Sequence, residues 1–70
     1  MTSNVTVTLN GEERQIREGI SVAALIQCLE LPPEHVAVEL NRALVRRSSH
    51  ADTPIRGGDV LEVVTLVGGG

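Results

Sequence analysis

At 70 residues the chain has room for one compact domain and no second one, which argues against an enzyme with a substrate pocket of its own. A net charge of -3 and the lack of any Phe, Tyr or Trp to stack on bases argue against nucleic acid as a partner. No lysine is present to accept an isopeptide bond on a side chain, and the lone Cys28 excludes an internal disulfide and any multi-cysteine metal or iron–sulfur site.

Leucine, valine and isoleucine must therefore supply the core. Val5-Thr6-Val7-Thr8-Leu9 alternates strictly and is β-branched almost throughout, which predicts a strand with Val5, Val7 and Leu9 facing inward. Asn10-Gly11 accepts the positive φ angles of a type I′ turn, so Glu12 to Arg17 is expected to return as the second strand of a hairpin, burying Ile16. Glu18-Gly19 breaks that strand, and the Ser21 hydroxyl can cap a helix. Val22, Leu25, Ile26 and Leu29 recur along one helical face, and Pro32-Pro33 ends the helix by about Glu30.

Val36 to Leu40 reads as a third strand, Asn41-Arg42 as a turn and Ala43 to Val45 as a short fourth strand. Arg46 to Pro54 is a polar connection. Gly57-Gly58-Asp59 is a further turn, in which Asp59 serves as organiser rather than catalyst, and it launches Val60 to Val67 as the longest strand. A helix that follows a hairpin lays its apolar face across the sheet, and the last strand then enters beside the first and parallel to it. The expected fold is α+β: a β-grasp with a mixed sheet of about five strands packed on one main helix. Residues 1–67 form the domain and residues 68–70 a flexible tail.

Gly68-Gly69-Gly70 adds nothing to packing and carries the largest ordering cost of any residue type. Attached to a central strand, such a tail can thread a channel too narrow for side chains and deliver the Gly70 carboxylate to a reactive centre elsewhere. A carboxylate is a poor electrophile, so its use requires activation by a partner, followed by attack of a sulfur or nitrogen nucleophile on the acyl carbon. The glycines do not form a phosphate-binding loop, since they neither follow a strand into a helix nor precede Lys-Ser/Thr. The bland reading of the tail is a frayed end, and its attachment to a strand predicted to be central weighs against that.

Alternation places Leu61 and Val63 inward and leaves Glu62, Val64 and Leu66 on the outer face, where with Val67 they offer a docking patch or simply exposed surface. Cys28 is read as a buried structural thiol, and His35 and His50 as solvated loop residues with no second ligand at metal spacing. Arg42, Arg46 and Arg47 make a basic loop that is read as solvated surface. No metal site is expected. No apolar run is long enough to span a bilayer, and Met1 to Asn4 lacks the charged-then-apolar order of a secretory signal, so no membrane partner and a cytoplasmic location are expected.

The Asn10-Gly11 hairpin, Val36-Ala37-Val38-Glu39-Leu40-Asn41, and above all Gly58-Asp59-Val60-Leu61-Glu62-Val63-Val64 running into Val67-Gly68-Gly69-Gly70 resemble the ThiS family, the ubiquitin-like sulfur carriers of thiamine biosynthesis. The resemblance spans the chain from Val5. It implies a protein cosubstrate rather than an enzyme, with no bound cofactor of its own. An E1-like, ThiF-like adenylyltransferase would use ATP and magnesium to adenylate Gly70, and a persulfide donor would convert the adenylate to a thiocarboxylate. A ThiG-like thiazole synthase would then take the sulfur, building thiazole from a deoxyxylulose phosphate imine and a glycine-derived imine. The family's terminal diglycine maps onto Gly69 and Gly70, with Gly68 a third glycine. A carrier for molybdopterin or another sulfur product, a ubiquitin-like modifier, and a non-reactive β-grasp binding module remain the alternatives. Thr65-Leu66-Val67 stands where the molybdopterin branch often carries prolines and aromatics, which favours the thiamine branch.

Overall fold

Alternating β-branched residues make Asn4–Leu9 a strand (β1), and Asn10-Gly11 turns it back on Glu12–Arg17 (β2) with φ of 51° and 82° at the two turn residues. Positive φ at both positions is the type I′ geometry, whose twist matches that of the flanking strands. In this computed structural model, which describes residues 3–66, the hairpin pairs from Asn4 opposite Arg17 to Leu9 opposite Glu12. Ser21 caps the helix Val22–Cys28 (α1) by accepting a hydrogen bond from the Ala24 amide at 3.0 Å. The helix buries Val22, Leu25 and Ile26, and it closes through Leu29 and Glu30, the latter at φ 57° just ahead of the proline pair.

A second turn with positive φ at both central residues, Asn41 (52°) and Arg42 (72°), joins Val36–Leu40 (β3) to Ala43–Val45 (β4). The last strand, Val60–Thr65 (β5), follows a turn over Arg56 to Asp59 in which Gly58 takes φ 87° and the Asp59 amide donates to the Arg56 carbonyl at 3.1 Å. The five strands lie in the order β2-β1-β5-β3-β4, with β5 parallel to β1 and antiparallel to β3. The last strand in sequence is thus the middle strand in space. Val7, Leu9 and Ile16 of the hairpin, Val36 and Val38 of β3, and Leu61 and Val63 of β5 meet the buried side of α1 and Ile55 in a single apolar cluster. This is the expected β-grasp: a mixed sheet of five strands on one helix.

Four expectations need correction. The strand expected to be the longest, Val60 to Val67, ends at Thr65 and has six residues, as β1 and β2 do. Its partner β3 begins at Val36, opposite Thr65, and before it stands a 3₁₀ turn over Pro33–His35, which offers β5 one more bond, from the Leu66 amide to the His35 carbonyl, but no further strand. The polar connection after β4 is not irregular but winds as a 3₁₀ helix over Arg47–Asp52.

That helix buries His50, which was expected to be solvated. Its Nε2–H donates to the Val45 carbonyl at 3.0 Å, which gives the buried ring a polar partner at the end of β4. His35 is exposed as expected. Cys28 is exposed rather than buried: it lies about 200° around the helix axis from the buried Ile26. Val67 and the tail Gly68 to Gly70, with the domain boundary drawn between them, lie outside the described residues.

Candidate functional site

Gly68, Gly69, Gly70 and Val67 lie outside the described residues, so the site is built from the root on which they are carried. That root is the end of β5. On its β3 side Thr65 stands opposite Val36, and the Leu66 amide, one residue past the strand, donates to the His35 carbonyl at 2.6 Å. On its β1 side the last backbone bond runs from the Asn10 amide to the Leu61 carbonyl at 2.9 Å, and the Asn10 side chain then engages both backbone groups of Val63.

The start of β5 is tied in a related way. The Asn41 amide donates to the Val60 carbonyl at 2.7 Å, and its side-chain oxygen accepts from the Val60 amide at 2.9 Å. Asn41 Nδ2 also donates to Asp59 Oδ1 at 3.1 Å, while Asp59 Oδ2 accepts from the Arg56 amide at 2.8 Å. Asp59 thus organises the turn, as its place in Gly57-Gly58-Asp59 suggested.

The outer face of the sheet, away from α1, follows from the register. Paired residues of adjacent strands share a face, so Val64 stands beside Ala37, Glu62 beside Glu39, and Glu39 in turn beside Leu44. Of the residues expected on this face, Glu62 is exposed and Val64 is 56% exposed; Leu66, just past the strand, is 55% exposed. Leu44, at 69%, and the exposed Val60 extend the apolar surface, and neither belongs to the patch read from the sequence. Leu44 belongs to a strand of only three residues, too short for alternation to fix its face in advance. Glu39 and Glu62 place two carboxylates directly opposite each other, an arrangement that costs stability across a strand pair.

A groove of about 510 Å³ opens between β2 and α1, where Cys28, Arg14 and Arg17 line it together with Ile16, Ile20 and Leu25. It shares no lining residue with the outer-face patch. Among the described residues no three His, Cys, Asp or Glu side chains gather as a metal-binding group, and no helix is long and apolar enough to cross a membrane.

Comparison with known proteins places these features. The crystal structure of the thiamine biosynthesis protein ThiS from Geobacter metallireducens superposes with a TM-score of 0.82 at 30% identity, covering 94% of this chain and 100% of that one. The sulfur carrier protein ThiS of Thermus thermophilus is 39% identical over 64 residues, 91% of this chain and 98% of its own length. A thiazole synthase of Paramagnetospirillum magneticum is 41% identical over 64 residues, and there the chain spans only 20% of the relative's length. The sequence profile of the ThiS family matches residues 7–70, the tail included. With the family's fold over nearly its whole length and the family's pattern running through to the last glycine, this chain belongs to the ThiS family.

Proposed function

We propose that this chain is a sulfur carrier of thiamine biosynthesis, a protein cosubstrate rather than an enzyme, whose reacting group is the Gly70 carboxylate. The observation that carries this reading is the placement of β5: the strand that runs into Gly68-Gly69-Gly70 is the central strand of the sheet, tied on both sides through Val63 and Leu66. A fixed root and a glycine extension serve delivery of an end group into another protein's active site. Glycine lets the backbone pass where a side chain would not.

The chemistry follows from the carboxylate's poor electrophilicity. In a ThiF-like adenylyltransferase, a Gly70 carboxylate oxygen attacks the α-phosphorus of magnesium-bound ATP, and pyrophosphate leaves. The terminal sulfur of a persulfide donor then attacks the acyl carbon of the adenylate, and AMP departs. A thiol cleaves the resulting acyl disulfide, freeing the thiocarboxylate and forming a disulfide with the donor's remaining sulfur. The nucleotide and metal belong to the partner, and this chain contributes the acyl group and its presentation. A reducing cytoplasm suits a thiocarboxylate.

The outer-face patch of Val64, Leu66 and Leu44 around the Glu39–Glu62 pair is the docking surface in this reading, since exposed apolar side chains there lie next to the root of the tail. A ThiG-like thiazole synthase is the sulfur acceptor. The relatives named thiazole synthase support that pairing, because a region similar to this chain makes up about a fifth of their length. Removing Gly70, or adding a residue after it, is expected to abolish restoration of thiamine synthesis in cells lacking their own carrier, with thermal unfolding of the domain unchanged. Growth without thiamine on either variant would contradict the terminal-carboxylate mechanism.

A further inference from the structure

The Asn10 side chain does more than its turn requires. A type I′ turn needs a residue tolerant of positive φ at this position, and glycine or aspartate would serve. Here Oδ1 accepts from the Val63 amide at 2.8 Å while Nδ2 donates to the Val63 carbonyl at 3.1 Å. The amide's orientation is fixed by its partners, since only the NH₂ can meet a carbonyl and only the oxygen can meet an N–H. One donor and one acceptor side by side reproduce what a residue of a neighbouring strand would offer.

The sheet lacks such a strand at this point. Val60 and Leu66 bond toward β3, through the Asn41 amide and the His35 carbonyl, so the odd-numbered residues Leu61, Val63 and Thr65 direct their backbone groups to the β1 side. The main chain of β1 reaches only Leu61 before Asn10-Gly11 turns it away into β2. The Asn10 amide carries the pairing on to Val63, and the His35 carbonyl holds Leu66 from the opposite side. The root of the tail is therefore gripped from both edges, one of them by a side chain alone.

Small errors at this root are amplified. Four residues separate Leu66 from the Gly70 carboxyl, a reach of about 14 Å once a partner's channel holds them extended, and in that complex a tilt of about 10° at the root would shift the end by roughly 2 Å. A displacement of about 1 Å at a reacting group can cost on the order of a hundredfold in rate.

We propose that Asn10 is a positioning residue for the carrier reaction, its side-chain amide standing in for the missing strand beside Val63 and aiming the tail. This rests on the carrier reading above. The test uses N10G, which keeps the turn, and N10D, which also keeps it but sets a carboxylate oxygen against the Val63 carbonyl. Hydrogen exchange should accelerate at the Val63 amide in N10G, which removes its acceptor, while the Glu62 and Val64 amides, which face β3, stay protected; N10D keeps an acceptor for the Val63 amide and loses only the donor to its carbonyl. With a ThiF-like adenylyltransferase and ATP, kcat for adenylate formation should fall about tenfold or more, with KM for the carrier within about twofold because the outer face is untouched.

Faster Val63 exchange in N10G with unchanged kcat would overturn the positioning role, and unchanged Val63 exchange in N10G would overturn the clamp itself. Should the unaltered chain not be adenylated at all while Val63 responds as expected, the clamp stands and the carrier reading falls.

Discussion

The two faces of β5 carry opposite compositions of constraint. Toward α1, Leu61 and Val63 are closed off from solvent among the residues of the core; toward the outside, Glu62 and Val64 are open, with two carboxylates left facing each other across the pair with β3. The inner side is arranged for stability. The outer side carries a like-charged pair and exposed apolar area, and in the proposed reading it is the face that meets the partners. If the proposed docking holds, one strand supports the core on one face and meets partners on the other, and substitutions on the two sides should separate these roles.

The largest effect belongs inside. Leu61→Ala removes a fully buried side chain at the centre of the sheet and is expected to cost about 2–5 kcal/mol, measured by chemical denaturation. That is a large share of the roughly 5–15 kcal/mol available to a small domain. Any loss of carrier activity in this variant should track the folded fraction. A loss well beyond that fraction would break the division between faces.

Val64→Asp, on the outside, should do the converse. Unfolding is expected to shift by less than about 1 kcal/mol, while affinity for the adenylyltransferase falls about tenfold or more, read by calorimetry or KM. Unaltered binding would remove the outer face from the docking surface.

The smallest and most pointed change is Glu39→Gln. Relieving the repulsion with Glu62 should raise stability by roughly 0.2–1 kcal/mol. If the pair meets a basic group on the partner, binding should weaken in the same variant, and opposite signs on stability and affinity would sharpen the comparison. Weaker folding on this change would mean that the two carboxylates do not repel.

Much of this is legible in the sequence. Strict alternation in Val5 to Leu9, and Glu62 between Leu61 and Val63, indicate which side chains face inward, because strand geometry admits only two faces. Asn10-Gly11 and Pro32-Pro33 set turns and ends through local sterics alone.

What stayed hidden depends on the third dimension. Ile55 is fully buried although it stands alone after Pro54 in a polar stretch; its amide bonds to the Ile20 carbonyl at 2.8 Å, which ties the connection to the entry of α1. His50 is held by a carbonyl five residues back through a 3₁₀ coil that no periodicity announces. Cys28 shows the reverse error, since it neighbours Leu25 on the helix yet lies at the open edge of the apolar stripe, turned away from Ile26. At the site itself, the exposure of Glu62 and Val64 could be read from alternation. The second use of Asn10 and Asn41, as side-chain partners of β5, could not, because each asparagine is already explained by its turn.

The central claim is that the domain exists to hold out one carboxyl group for others to modify. It is tested most directly by the intact mass of the protein after incubation with a ThiF-like adenylyltransferase, magnesium, ATP, a persulfide donor and a thiol. Exchange of one oxygen for sulfur, localised by fragmentation to Gly70, is the result expected. An unchanged mass under conditions that convert a known ThiS, or sulfur found on Cys28 instead, would contradict it.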